Sequence, residues 1–390
     1  MLKPAAIEDW YTFYHRTPVA SYFQSPEWAD VWMQYTGGRY QPSPLLASLP
    51  SGNTLLIPLT EQKIRWGLGS VWHASPAGTY GGFLSESGKP PDDEELSKTL
   101  CKLFGYCGSL VYRHFPFTAS SVKDELDLSG RPQMDLSGRQ QLDLSGRPQK
   151  TFSGSIRRYI PDEDAPHACD GVEIVPERTY YIACNDGYDA ILKEWSDDHG
   201  KMIRKIKKAR RSGIRIRRSV SNRDIAAYYN LYLANIRRWD PPPKHIYKQS
   251  FFEILLNKKP VKIPGFTISD ANRPLSEMWL AEFGEILVAG AIVLTGRQHM
   301  TYWHGISDPG FYSYRPVNLL ISEIIRECCN RGIPWFDFNP SMGISGVERF
   351  KKSFGADTAD CSVVSRITSK IKLVSLAGDV LKRVKTGRGR

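Results

Sequence analysis

Between Glu277 and Phe338 the chain changes period in an order that few folds accommodate. Glu277 to Phe283 and Ile286 to Leu294 are β-rich runs on either side of Gly284-Glu285, which reads as a hairpin. Met300 to Ile306 adds a further strand. Pro316 then opens a helix with Leu319, Leu320, Ile324 and Cys328 on one face. Gly332 ends it, and Pro334 stands just beyond. Trp335 to Phe338 returns to strand. This order predicts a mixed, mostly antiparallel sheet with a helix inserted between two of its strands.

The flanking residues extend the pattern. Thr179 to Ala183 reads as a strand, and Tyr188 to Arg211 as one helix or two, closed by Ser212-Gly213. Ile214-Arg215-Ile216-Arg217 alternates as a strand does. Asn222 caps a helix that runs to about Arg238 and stops at Pro241-Pro242-Pro243. Ser250 begins a shorter helix. After the Pro316 helix and its strand come a helix at Val347 to Ser353 and a strand at Ser362 to Ile367.

The first half is punctuated more weakly. Ser25-Pro26-Glu27-Trp28 places a cap, an N1 proline and a first-turn acid in series. Leu55 to Leu59, Val71 to His73 and Ser109 to Tyr112 read as strands, and Glu94 to Tyr106 as a helix. The halves are separated by Asp-Leu-Ser-Gly-Arg repeats starting at Asp127, Asp135 and Asp143. Each unit carries too little apolar surface to offset the entropy of ordering it, so a surface loop is expected. The division that follows is residues 1–123, an inserted loop at 124–171, a second unit at 172–368, and a basic tail at 369–390. The fold class is α/β (α+β), with two tandem units that are each a mostly antiparallel sheet flanked by helices.

Charge narrows the partners. The net charge is +11, and it is localised. Lys201 to Arg218 holds ten basic residues and no acid, while Arg366 to Arg390 holds eight against Asp379 alone. Such segments suit polyanions, and the tail suits an anionic lipid surface. Met1 to Tyr14 contains two acids and no apolar run, which does not read as a signal peptide. No stretch approaches the roughly 18 uncharged residues of a membrane span. A cytoplasmic location is expected, with peripheral membrane contact through the tail. The seven cysteines form no Cys-x-x-Cys pair and the histidines no His-x-x-x-His spacing. Reduced thiols and no metal site are therefore expected.

Several segments, in order, carry a family resemblance. They are Phe23-Gln24-Ser25-Pro26-Glu27-Trp28, the basic run Arg204 to Ala209 with Gly213, and Tyr302-Trp303-His304-Gly305-Ile306-Ser307. Arg315 to Leu320, Trp335-Phe336-Asp337-Phe338 and Arg349-Phe350-Lys351-Lys352-Ser353-Phe354-Gly355 complete the set. Together they resemble the FemAB-like branch of the GNAT acyltransferase superfamily, which uses tandem GNAT-like domains. The resemblance implies that the strands Met300 to Ile306 and Trp335 to Phe338 splay apart. It also implies an acyl donor whose extended arm lies in that gap, with a phosphate at the N-terminus of the Pro316 helix. The donor-binding candidates are Trp303, Ser307, Tyr314, Arg315 and Asn318.

Ser307 to Arg315 contains only Gly310, unlike the glycine-rich pyrophosphate loop of ordinary GNAT enzymes. Classical FemAB-like members draw on aminoacyl-tRNA, but the long helical arm they often carry has no room here. Acyl-CoA (acetyl-CoA) is therefore the expected co-substrate, with aminoacyl-tRNA the alternative. The expected acceptor is an amine on a sugar, an amino acid or a cell-envelope precursor, small or lipid-linked.

Amine acylation needs proton removal, oxyanion stabilisation and alignment. Asp337 is a candidate base, although it could instead cap the following turn. Lys351, the lysine of the family's Phe-Lys-x-x-Phe-Gly signature, is the candidate for stabilising negative charge. His304 is a candidate base or donor contact, and Glu282 a weaker base. A rival reading is a non-catalytic nucleic-acid-binding protein that uses Lys201 to Arg218; the absence of interleaved aromatics and of a base-reading motif counts against it.

Overall fold

The computed structural model describes residues 1–64, 67–78, 80–85, 93–113, 171–238, 246–259, 274–371 and 373. The Asp-Leu-Ser-Gly-Arg repeats, the Pro241-Pro242-Pro243 stop and most of the basic tail lie outside the described residues.

The first half contains β1 (Leu2–Pro4), α1 (Ile7–Arg16), α2 (Pro26–Tyr35), β2 (Tyr40–Pro42), β3 (Leu45–Ser48) and β4 (Thr54–Ile57). It continues through β5 (Thr60–Lys63), β6 (Ser70–His73), β7 (Leu84–Ser85), α3 (Asp93–Cys107) and β8 (Leu110–Arg113). The second half opens with β9 (Glu173–Ala183), α4 (Gly187–Asp197), α5 (Lys201–Arg211), β10 (Ile214–Ser219), α6 (Asn222–Ile236) and α7 (Gln249–Leu256). There follow β11 (Ser276–Phe283), β12 (Ile286–Thr295), β13 (His299–Ser307), α8 (Pro316–Asn330), β14 (Trp335–Asp337), α9 (Ser345–Lys352) and β15 (Asp357–Arg366).

Local chemistry explains many boundaries. Ser25 caps α2 by accepting from the Trp28 N–H at 3.2 Å, and Ser221 caps α6 by accepting from the Asp224 N–H at 3.2 Å. The basic segment predicted as one helix or two is two, α4 and α5. They are parted at His199 and Gly200, which take left-handed φ values of 51° and 62°.

Strand order is β10-β11-β12-β13-β14-β9-β15-β8-β6-β5-β2 in one eleven-stranded sheet, beside a four-stranded sheet β1-β3-β4-β7. The larger sheet is mixed and mostly antiparallel. Its parallel pairs are β13 with β14 and β6 with β8. Strands from the two halves thus share one sheet, joined where β15 pairs antiparallel with β8. An Arg113–Glu177 ion pair of 2.8 Å stands at that junction.

Helices cover both faces. On one, α4, α5 and α8 bury Ile191, Trp195, Met202, Ile206, Leu320 and Ile324 against Ala291, Val293 and Phe336. On the other, α6 and α7 are joined by α2 of the first half, which packs Trp28, Val31 and Trp32 against Ile292, Leu294 and Phe251. Gly290 allows the α6 packing: a Cβ there would lie 2.7 Å from the Tyr228 ring. Cys107, Cys184, Cys328, Cys329 and Cys361 are free thiols. Cys101 is disulfide-bonded, contrary to the expectation of reduced thiols throughout. Among the described residues no helix is long and apolar enough to cross a membrane. Nor do three His, Cys, Asp or Glu side chains converge as metal ligands.

Candidate active site

The predicted splay follows from three residue pairs. β13 and β14 pair only at His299–Trp335, Met300–Phe336 and Thr301–Asp337. β13 then runs on to Ser307 along β12, while the chain after Asp337 turns towards β9, with the Phe338 N–H donating to the Tyr180 carbonyl at 2.8 Å. From Tyr302 onward the β14-facing edge of β13 has no partner strand among the described residues. Asn339, at φ 64°, reaches back across the opening, its Nδ2 donating to the Tyr302 carbonyl at 3.4 Å. The Tyr302 hydroxyl lies where a side chain at residue 305 would begin, 1.6 Å from an added Cβ, so any other residue at Gly305 would displace that ring. Burial raises the Tyr302 pKa to about 12 and keeps it a proton donor.

Asp337 and Lys351 both bond the backbone of Asn339, at the base of this opening. Asp337 is 1% exposed, and alternation puts it on the same face as its partner Tyr181. Its Oδ1 accepts from Thr179 Oγ1 at 2.9 Å, from the Asn339 N–H at 2.9 Å and from the Tyr80 hydroxyl at 3.2 Å. The side chain therefore caps the turn after β14. Burial raises its pKa to about 6, against the lowering effect of those donors and of Lys351.

Lys351 lies on α9 and is 3% exposed. Its Nζ donates to the Asn339 carbonyl at 2.5 Å and sits 5.6 Å from the centre of the Tyr180 ring. Burial lowers its pKa to about 8, and the charges of Asp337 and Glu348 oppose that lowering. A solvated helix lysine would show none of this.

The N-terminus of α8 faces the same end of the sheet, since β13 and β14 run parallel. The segment from Pro309 to Tyr314 is a 3-10 helix, capped by Asp308 accepting from the Gly310 N–H at 2.9 Å. Arg315 takes a left-handed conformation at φ 63° as the N-cap of α8, with no side-chain cap on the first N–H groups. Lys205 of α5 lies close enough for the Arg315 charge to help burial depress its pKa. Asn318 is buried and donates to Met202 Sδ at 3.7 Å, tying α8 to α5. Backbone N–H groups without a side-chain cap, the helix dipole and two cations make this a place for an anion.

The remaining candidates are dispersed. A register shift between β12 and β13 leaves Trp303 as an extra residue. Trp303 and His304 then both face the aromatic cluster: Trp303 lies 5.7 Å from Trp28 and 5.5 Å from Tyr247, ring to ring. The His304 Nδ1 is 2.6 Å from the Tyr228 hydroxyl, and burial lowers its pKa to about 4. Ser307 closes β13 opposite Ala289. Tyr314 packs against Phe283 at 5.2 Å between ring centres. Glu282 is held in an ion pair with Arg217 at 2.7 Å, and Arg217 also binds Asp224 at 2.6 Å.

Three residues join the site that sequence reasoning missed: Tyr80, Thr179 and Asn339. The only local signal was Asn339-Pro340 after a strand, a turn dipeptide.

Residues 199–352 match the family described as the acetyltransferase (GNAT) domain. Among solved structures, the fold is similar to that of FemX, with 12% identity over 93% of this chain and 96% of that one and a TM-score of 0.57. A conserved protein of unknown function from Bacteroides thetaiotaomicron is similar at 8% identity over 94% and 99% of the chains, with a TM-score of 0.49. The C-terminal domain of a putative lysylphosphatidylglycerol synthetase from Agrobacterium fabrum is similar at 8% identity over 96% of each chain, with a TM-score of 0.46. No curated protein matches the chain.

Proposed function

We propose that this chain, whose residues 199–352 match the acetyltransferase (GNAT) domain, moves an acyl group from acyl-CoA to an amine. The acceptor amine belongs to a sugar, an amino acid or a cell-envelope precursor, free or lipid-linked. The observation that carries this reading is the buried Lys351 ammonium at the point where β13 and β14 part.

The donor's diphosphate rests at the N-terminus of α8, beside Arg315 and Lys205, and its arm lies along the unpaired edge of β13. The acceptor nitrogen attacks the thioester carbonyl; the C–N bond forms and the C–S bond breaks. The proton lost by nitrogen ends on the departing thiolate. Lys351 stabilises the oxyanion formed in between. Asp337 holds the turn that carries the Asn339 carbonyl and, as a carboxylate, favours the charged form of the lysine. His304, enclosed by aromatic rings with its pKa lowered to about 4, is a poor base at neutral pH and serves to line the cluster.

Acetyl-CoA turnover with a panel of amines tests this reading, with free thiol as readout. Lys351→Met is expected to lower kcat roughly 100- to 1,000-fold with little change in KM for acetyl-CoA. A purified protein that neither binds nor hydrolyses any acyl-CoA would overturn it. The second reading, transfer from aminoacyl-tRNA, is favoured by the basic α5 beside the α8 N-terminus and by the FemAB-like resemblance. RNase-sensitive transfer of a labelled amino acid would replace the first reading with it.

A further inference from the structure

Tyr80 belongs to the first half, yet its hydroxyl is enclosed by the second. It follows the 3-10 turn Pro76–Gly78 after β6, and 2% of its surface is exposed. The hydroxyl lies within hydrogen-bond reach of Thr179 Oγ1 and 3.2 Å from Asp337 Oδ1. Asp337 in turn accepts the Asn339 N–H at 2.9 Å, and the Asn339 carbonyl accepts from Lys351 Nζ at 2.5 Å. An unbroken series of contacts therefore runs from β6's loop to the lysine.

We propose that Tyr80 is a positioning residue for Lys351, acting through Asp337, so that the first half belongs to the catalytic apparatus. The catalytic part of this rests on the acyl-transfer reading above. The phenol's one proton is shared between Thr179 Oγ1 and Asp337 Oδ1, so it supports, directly or through the threonine hydroxyl, a carboxylate that is 1% exposed. Removing that donor destabilises the ionised form, so Asp337 binds a proton at higher pH. A neutral Asp337 withdraws its field from Lys351, and the lysine, already disfavoured by burial, loses its proton at lower pH. It would then be less often an ammonium at neutral pH.

Other titratable groups face these two. Cys361 on β15 senses the Asp337 charge. Glu348, on the lysine's own helix, both favours the ammonium and bonds the Tyr180 hydroxyl. The Cys361 charge acts on Tyr80 as well. Tyr80 packs its ring edge-on to Phe23 at 6.1 Å, so Tyr80→Phe keeps the packing and deletes only the oxygen.

The test measures competitive acetic anhydride labelling of lysines against pH in the full chain, read by mass spectrometry. In Tyr80→Phe the midpoint for Lys351 is expected to fall by about half a unit or more, while exposed Lys352 is unchanged. Thr179→Val removes a contact on the same carboxylate and is expected to shift it the same way, which covers failure of the first variant to fold. If both variants melt like the parent and leave the Lys351 profile unchanged, the proposal is wrong. With acetyl-CoA, Tyr80→Phe should lower kcat about tenfold with KM unchanged. A labelling shift in a protein that turns over no acyl-CoA would overturn the catalytic role along with the acyl-transfer reading. An unchanged profile in an active enzyme would overturn Tyr80 alone.

Discussion

Lys351 and Asp337 show what one position in a motif does and does not reveal. The Phe-Lys-x-x-Phe-Gly signature made Lys351 visible in sequence, but a helix lysine is as often solvated. Burial to 3% exposure and contact with the Asn339 carbonyl separate the two cases. Asp337 was ambiguous for a similar reason, because alternation could turn it to either face. Its partners Tyr80 and Thr179 are 257 and 158 positions away, and no local pattern encodes a contact of that span. The pair has a pH signature. If turnover needs the Asp337 carboxylate and the Lys351 ammonium, it rises as pH passes about 6 and falls as pH passes about 8. Asp337→Asn is expected to abolish the acid limb and to move the alkaline limb to lower pH, because the charge that favours the Lys351 ammonium is gone. A flat kcat profile between pH 5 and 9 on acetyl-CoA, measured with the unmodified chain, would count against these roles.

Helices and strands were legible to different degrees. The Pro316 start and Gly332 stop of α8 were readable because caps and breakers act within a few residues. β15 begins at Asp357, five residues before the predicted Ser362, and β9 begins at Glu173, six before the predicted Thr179. Asp357 to Asp360 is mostly polar, and Glu173 to Arg178 is interrupted by Pro176, so neither stretch reads as a strand by itself. They become strand because each supplies the other's ladder, with Asp360 against Arg178 and Ser365 against Glu173. The α8 N-terminus has a consequence of its own. Arg315→Glu combined with Lys205→Glu is expected to weaken CoA binding in calorimetry by roughly 10- to 100-fold. The loss should shrink as salt is raised. Equal affinity in parent and variant would remove the anion site from this helix.

At the scale of the whole molecule, the two halves are bound together more than tandem units need be. β8 continues the sheet from β15, Tyr80 enters the second half, and α2 covers the β11–β13 face through Trp28 and Trp32. Aromatic pairs of this kind add roughly 0.5–1.5 kcal/mol each beyond their buried area. Residues 171–390 expressed alone are therefore expected to aggregate, since an open β15 edge and an uncovered aromatic face would both meet water. A soluble, monomeric fragment in size-exclusion chromatography with native-like circular dichroism would contradict that. The sequence by itself determined the alternation of elements in the second half, the α8 boundaries, the family resemblance and Lys351 as a candidate, because periodicity, caps and motifs are local. Only the tertiary structure decided that the halves share a sheet, that Glu282 is occupied by Arg217 and that Asp337 is shared by Tyr80, Thr179 and Asn339. Those outcomes depend on which distant surfaces exclude water together, and burial is a property of the assembled chain.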